Sequence, residues 1–526
     1  MRRVFIWSSI GVCLAIALLS QFWKAAPYLM IFFGPIILIG IRDCFNKRQA
    51  IKRNFPVIGH FRYLLEEIRP EIQQYFIENN EDGMPFSRES RSVVYQRAKK
   101  VRDTVPFGTQ RNLYQIGTEW INHSFLPGHP TDDAQRIWIG SDECRQKYHA
   151  SILNISAMSY GSLSQNAVLA LNKGAKLGGF AQNTGEGGIT PYHLEHGGDL
   201  IWQIGTGYFG CRTNDGNFDL EQFKEKSSLD AVKMIEVKIS QGAKPGHGGI
   251  LPGSKVTPEI AKIRGVEVGK DVISPPAHSA FSTPKELLQW IQKLREASGG
   301  KPVGFKICLG KRREFFSVCK AMIETNIVPD FIAVDGAEGG TGAAPLEFSN
   351  SIGTPLTDAL IFVHNALVGI GKRNQVKIMA SGKISTGFHI AQKIALGADL
   401  VYSARAMMFA IGCIQALRCN ANNCPTGVAT QDKELMAGLD VKDKSQRVAN
   451  YHHQTLHSFL EVLSSAGLKN SSELEPWHIQ RRVSADVVKH YGEIYDYLKE
   501  GALLHDPFPE RYQRAWSHAS ADKFSV

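Results

Sequence analysis

Residues 330–345 read DFIAVDGAEGGTGAAP: a short run of Phe, Ile, Ala and Val breaks directly into a glycine-rich turn. An apolar run this short suits a strand buried on both faces. The pattern recurs along the chain. Further candidate strands are SILNISAM (151–158), IEVKIS (235–240), DVISPP (271–276), KPVGFKIC (301–308), QVKIMASG (375–382) and DLVYSA (399–404). Amphipathic stretches such as PKELLQWIQKLREA (284–297) and GFHIAQKIALG (387–397) lie between several of them. This alternation implies parallel strands joined by crossover helices. Roughly seven or eight such units predict an α/β fold, a closed (β/α)8 TIM barrel. An open doubly wound sheet is the structural alternative, but no GxGxxG follows a strand.

In such a barrel the chemistry sits where strands end. SILNISAM leads into SYGSLS, and a later loop carries NTGEGG (183–188). IEVKIS leads into QGAKPGHGGILPG, DFIAVDG into AEGGTGAAP, and QVKIMASG into KISTG. Glycine clusters let backbone N–H groups approach an anionic or planar ligand. The last two strands end in ASGKISTG and YSARAMM, where barrels often hold a phosphate. A phosphorylated planar cofactor follows, and flavin mononucleotide (FMN) is expected. Lys306 lies inside an apolar strand and is read as pointing inward to that cofactor, the alternative being a surface lysine.

The stretch GCIQALRCNANNCPTGVATQ (412–431) holds Cys413, Cys419 and Cys424. A spacing of six puts the first two about 240° apart on a helix, so the segment must curl round whatever it binds. Cysteine followed by proline at the end of such a run suits iron–sulfur ligation. Zinc competes, but needs a fourth ligand that is not apparent nearby. Three ligands suit a three-iron cluster. Cys144, Cys211, Cys308 and Cys319 are read as small buried hydrophobes, and nine thiols suit a reducing compartment.

The amino-terminal end differs from the rest. Residues 1–100 carry fifteen Lys and Arg against eight Asp and Glu, most of the net +10, which leaves the remainder nearly balanced and argues against a nucleic-acid partner. VFIWSSIGVCLAIALLSQFW (4–23) and AAPYLMIFFGPIILIGI (25–41) are uncharged apolar spans joined by Lys24. They predict a two-helix transmembrane hairpin, a buried soluble hairpin being the alternative. Arg2 and Arg3 before it, and Arg42, Lys47, Arg48, Lys52 and Arg53 after it, place both ends and the catalytic domain in the cytoplasm of a multi-pass cell-membrane protein. FRYLLEEIRPEIQQYFI (61–77) reads as a helix broken at Pro70. The expected organisation is a hairpin anchor (1–53), an irregular extension covering the barrel (54–150), the barrel with its cysteine loop (151–440), and a helical extension (441–526).

SAMSYGSLS, NTGEGG, QGAKPGHGG, SPPAH, GGTGAAPL and the cysteine run together resemble the synthase domain of glutamate synthases, over about residues 150–440. PFGTQ (106–110) resembles the shorter stand-alone bacterial members. The resemblance implies FMN bound by Ala157, Met158, Ser159, Tyr160, Lys306, Gly339, Gly340, Thr341, Gly382, Ser403 and Ala404. It implies a [3Fe–4S] cluster on Cys413, Cys419 and Cys424. Gln241 and Lys244 match residues contacting the carboxylates of 2-oxoglutarate, and Glu186 matches an acid beside them.

The implied reaction is reductive amination of 2-oxoglutarate by ammonia to L-glutamate, with Lys244 orienting the dicarboxylate and Glu186 handling protons. Electrons would come from a donor protein, ferredoxin or an NAD(P)H-dependent reductase subunit. The chain departs from the family at its start, where an amidotransferase half-reaction is expected to be absent, and after 440, where a β-helical domain has no room. It also departs at His247 and Ile250, where the family pattern AKPGEGGQLPG has an acid and an amide. Loss of that amide motivates a second reading, the same cofactors acting on another oxo-acid or amine. A third, of another class, is a membrane-associated electron-relay or assembly subunit.

Overall fold

The computed structural model describes residues 1–101 and 104–524, in two compact units, Met1–Arg88 and Glu89–Val526. The larger is built on eight parallel strands: β1 Leu153–Ile155, β2 Gln182–Asn183, β3 Leu200–Ile204, β4 Val232–Lys238, β5 Val303–Ile307, β6 Phe331–Asp335, β7 Lys377–Ser381 and β8 Leu400–Ser403. They close in sequence order, β8 pairing back onto β1 through Val401 and Leu153. The barrel expected from the sequence is therefore present.

Two of its strands differ from the expected set. DVISPP does not enter the barrel: Val272–Ile273 pairs antiparallel with Ile250–Leu251, in an excursion between β4 and β5. Its place is taken by β2 and β3. Every residue of β5 and β6 is buried, as sheet faces covered inside and out require.

The barrel interior is layered. Ile201, Met234, Phe331, Met379 and Leu400 form its apolar floor, joined by Ile139, Tyr148 and Ala150. Those last three lie on an antiparallel pair, Arg136–Ile139 with Tyr148–Ser151, so part of segment 54–150 is ordered packing against the barrel floor. Above the floor lies a polar layer. Glu236 Oε1 accepts from Asn183 Nδ2 (2.9 Å) and Gln203 Nε2 (2.6 Å), and its Oε2 from the Tyr402 hydroxyl (3.1 Å).

Helix Gln165–Gly178 starts where Ser164 accepts from Ala167 N and ends at Gly179, whose φ of 65° closes the last turn. It packs on the 25-residue helix Val441–Ser465. A small antiparallel sheet joins Glu119–Ile121, Ile479–Arg482 and Val488–His490. The carboxyl-terminal segment is thus one long helix followed by short elements.

In the smaller unit, helices Arg2–Leu19 and Ala26–Cys44 are long and apolar enough to cross a bilayer. After a short helix, Ala50–Asn54, helix Gly59–Ile72 runs through Pro70 rather than stopping at it and continues as a wider turn over Gln73–Ile77. Pro70 stands within the last turn, so its missing N–H costs one ladder bond close to the helix end.

The amino end of β6 is fastened by one buried carboxylate. Asp330 accepts from Ser141 N (2.8 Å), Val303 N (2.8 Å), Arg295 Nε (3.0 Å) and Cys144 Sγ (3.1 Å). Arg295 is itself buried. Asp330→Ala leaves that buried guanidinium with only the exposed Glu143 carboxylate (2.6 Å) as counter-charge and strips Ser141 N and Val303 N of their acceptor; we expect a loss of roughly 3 kcal/mol, read as a lower urea midpoint, and an unchanged midpoint would contradict this account.

Candidate active site

The carboxyl ends of the strands meet at one rim. Glu186, in the loop after β2, lies against Gly249 and Gly205, either of which would strike its carboxylate with a Cβ. Only glycine permits that approach. Lys238, the last residue of β4, sets its ammonium 3.0 Å from Glu186 Oε1. Burial pushes the Glu186 pKa up, but Lys238, Arg264 and Lys244 outweigh it and hold the carboxyl below its ordinary range. Glu186 is an anion at neutral pH, which makes it a weak base and no acid.

Lys244 follows β4 in the AKPGHGG loop. It is 2% exposed, and its Nζ donates to Ala343 O (2.9 Å) in the glycine loop after β6. Burial and the Lys238 charge lower its pKa to about 8, against the pull of Glu186. Lys244 therefore titrates close to neutrality. Arg264, on helix Pro258–Arg264, donates to Tyr160 O (2.9 Å) and Ser159 Oγ (3.3 Å) and lies over the Phe209 ring. Burial lowers its pKa to about 10, so it stays charged. Gln241 stands half-buried next to Gly242.

The residues expected to hold a flavin occupy the ends of five strands. Ala157–Tyr160 follow β1, Lys306 lies on β5, Gly339–Thr341 follow β6, Gly382 follows β7, and Ser403 and Ala404 end β8. Lys306 points inward: it is buried, with Nζ 3.3 Å from Asp335 Oδ2. Burial lowers its pKa, and Asp335 and Glu236 more than restore it. The same Asp335 oxygen accepts from Gly242 N (2.9 Å), tying the Lys244 loop to β6.

Lys383 and Arg405, at the ends of β7 and β8, face each other with Glu338 near both. Burial and their mutual repulsion lower the Lys383 pKa, while burial lowers that of Arg405. Asp335 and Glu338 both act on Arg405, but Asp335 is already paired with Lys306; Lys383 and Arg405 at the ends of β7 and β8 are the groups a phosphate would pair with, so the residues present fit a phosphorylated cofactor.

The cysteine loop curls as the spacing requires, with Gly412, Gln415, Leu417 and Asn422 at positive φ. Among the described residues no three Cys, His, Asp or Glu side chains stand as a ready-made metal site. The three thiols nonetheless share one environment. Burial and the neighbouring sulfurs push Cys413 up to about 12. Burial also acts to raise Cys424, but Thr426 and the backbone N–H groups of Ala429, Thr426 and Val428 bring it below its usual value. A nest of N–H donors of this kind suits a thiolate bound to iron. The donor set fits a cluster chemically, and binding one requires the loop to draw its sulfurs together.

Four of these charged residues escape a reading of single motifs. Lys238 carries the signal that identified Lys306, a lysine inside an apolar strand. Lys383 and Arg405 lie in the phosphate stretches already singled out. Arg264 carries none, sitting in an ordinary amphipathic helix.

The profile of a family described as "Conserved region in glutamate synthase" matches residues 99–469. The chain is 39% identical over 495 residues to the glutamate synthase large subunit-like protein YerD of Bacillus subtilis, covering 85% of this chain and 93% of that one. It is 38% identical over 321 residues to the archaeal glutamate synthase [NADPH] of Methanocaldococcus jannaschii, covering 61% and 60%.

The rim electrostatics make a testable statement. A small dianion should bind more weakly as pH rises through about 8, where Lys244 loses its proton. Because Glu186 raises the Lys244 pKa, Glu186→Gln should move that midpoint to lower pH. Calorimetric titration of a dicarboxylate across pH 6–9 reads both effects; a pH-independent affinity would refute them.

Proposed function

The chain belongs to the glutamate synthase family of oxidoreductases acting on CH–NH2 donors, and from that premise we propose that it reductively aminates 2-oxoglutarate with ammonia to L-glutamate. The observation that carries the reading is charge. Lys238, Lys244 and Arg264 bring three positive charges to the one negative charge of Glu186, and the excess of two matches the dianionic substrate.

The substrate carboxylates would be bound by Lys244, Arg264 and Gln241. Lys244, titrating near neutrality, is suited to give and take the proton moved as ammonia condenses with the carbonyl. Glu186, fixed as an anion, is suited to accept hydrogen bonds from the incoming nitrogen. This exchanges the roles expected from the resemblance. FMN would be held by Ala157–Tyr160, Lys306, Gly339–Thr341, Gly382, Ser403 and Ala404, with Lys383 and Arg405 at its phosphate, and a [3Fe–4S] cluster by Cys413, Cys419 and Cys424. Bound there, the two groups would supply hydride and single-electron transfer respectively.

The electron donor is proposed to be a separate protein, ferredoxin or an NAD(P)H-dependent reductase subunit, in keeping with relatives named for NADPH. The two apolar helices would anchor the protein in the cell membrane, with their basic flanks and the barrel on the cytoplasmic side. The second reading, another oxo-acid or amine, is favoured by His247. Its ring meets Phe348 edge-on at 5.4 Å, which makes this side of the mouth aromatic where the family pattern has an acid.

Purified without oxygen, the protein should contain flavin, iron and sulfide, and Cys424→Ser should lose the iron while keeping flavin. Supplied with 2-oxoglutarate, ammonium and dithionite, it should form glutamate. Lys244→Met should lower kcat/KM for 2-oxoglutarate about 10–100-fold, the worth of a charge-assisted hydrogen bond. No glutamate from protein with both cofactors intact would sink the proposal, and flavin reoxidation by a different oxo-acid would establish the second reading.

A further inference from the structure

The helix Gly59–Ile72 and its continuation Gln73–Ile77 present a continuous apolar stripe. Phe61, Leu64, Leu65, Ile68, Ile72, Tyr75 and Phe76 recur at helical spacing. Phe61 is 64% exposed, Leu65 56% and Phe76 85%. Charge lies on the other side: Arg62 pairs with Glu66 one turn on (2.8 Å), and Glu67 and Arg69 are exposed. A row of large apolar side chains open to water marks a surface made to meet something else.

Three observations within the smaller unit identify what it meets. The helix begins at the end of the second apolar span: Asp43, buried in the last turn of Leu29–Cys44, accepts from Val57 N (2.9 Å) and lies 2.9 Å from His60 Nε2. The intervening segment is basic, with Arg42, Lys47, Arg48, Lys52 and Arg53 against Asp43 alone. Lys52 also sits over the Tyr63 ring at 4.8 Å, which fixes the basic segment against the start of this helix.

We propose that residues 59–77 lie flat on an anionic lipid surface, the apolar stripe in the headgroup–acyl boundary and the basic segment on the headgroups. This rests on the reading of the two apolar helices as a membrane hairpin, because Asp43 then marks the bilayer boundary and the His60 contact sets the depth of the helix. An interfacial helix here fixes how far from the membrane the chain leaves toward the barrel.

The test uses the full-length protein, with its barrel, in vesicles of phosphatidylcholine and phosphatidylglycerol. The photo-reactive residue p-benzoylphenylalanine is placed at Leu65 on the stripe, at Glu67 on the polar side, or at Ile10 in the first span. Lipid adducts at Leu65 should exceed those at Glu67 severalfold, and should fall when phosphatidylglycerol is omitted. Adducts from Leu65 to residues 89–526, or to a second copy of the chain, would overturn the proposal while lipid adducts at Ile10 leave the hairpin standing. Lipid adducts at Leu65 without any at Ile10 would uphold the interfacial helix and sink the hairpin. Lipid adducts at neither position would sink both.

Discussion

Buried lysine needs a partner, and the way this barrel meets that requirement governs its rim. Lys306 has Asp335 at 3.3 Å and Lys238 has Glu186 at 3.0 Å. Removing either carboxylate would strand an ammonium in a low-dielectric setting, at a cost of several kcal/mol. Lys244 has no carboxylate in contact; its Nζ donates to the Ala343 carbonyl, and burial together with the Lys238 charge lowers its pKa to about 8. Lys306 is thereby held as a cation, and Lys244 is left free to exchange a proton. The division follows from which loops carry acids, because β6 ends in Asp335 and the β2 loop carries Glu186 whereas the glycine loop after β6 meets Lys244 with a backbone oxygen.

The barrel was legible because strands buried on both faces show as apolar runs, and five of them, β4 to β8, are unmistakable in the sequence. β1 was legible too, although it contributes only three residues to pairing. β2 was not, since Gln182–Asn183 is a two-residue strand of polar residues, of which Asn183 serves the polar interior layer. DVISPP misled for the converse reason. Its apolar pair Val272–Ile273 satisfies its backbone antiparallel to Ile250–Leu251, and a pair of that kind outside the barrel has the same composition as a short strand within it.

The site was legible by loop and less so by role. The glycine-rich strand ends drew attention to one rim, where the structure brings Lys244, Glu186 and Lys306 within one charge network. What a sequence cannot state is the sum of the charges. Glu186 reads alone as an acid able to pass a proton; among Lys238, Arg264 and Lys244 it is held ionised. Arg264 reaches the rim only because the excursion between β4 and β5 folds its short helix back over the loop following β1, a tertiary event with no periodicity to announce it.

The same excursion links the loop after β1 to the cysteine loop. Gln431 Nε2 donates to the carbonyls of Gly161 (3.1 Å) and Leu163 (2.9 Å), and Lys255 Nζ donates to that of Ser162 (3.0 Å). Three consecutive carbonyls of the loop after β1 are thus held by side chains from the tail of the cysteine loop and from the excursion. The cysteine loop in turn fastens to the excursion, Asn422 Nδ2 donating to Ser254 O at 3.1 Å. Shifting the cysteine loop without the loop after β1 would leave buried acceptors unpaired, at about 1–3 kcal/mol each. A displacement of the cysteine loop would therefore be felt at Gly161–Leu163, directly after Ala157–Tyr160, through hydrogen bonds rather than through the barrel wall.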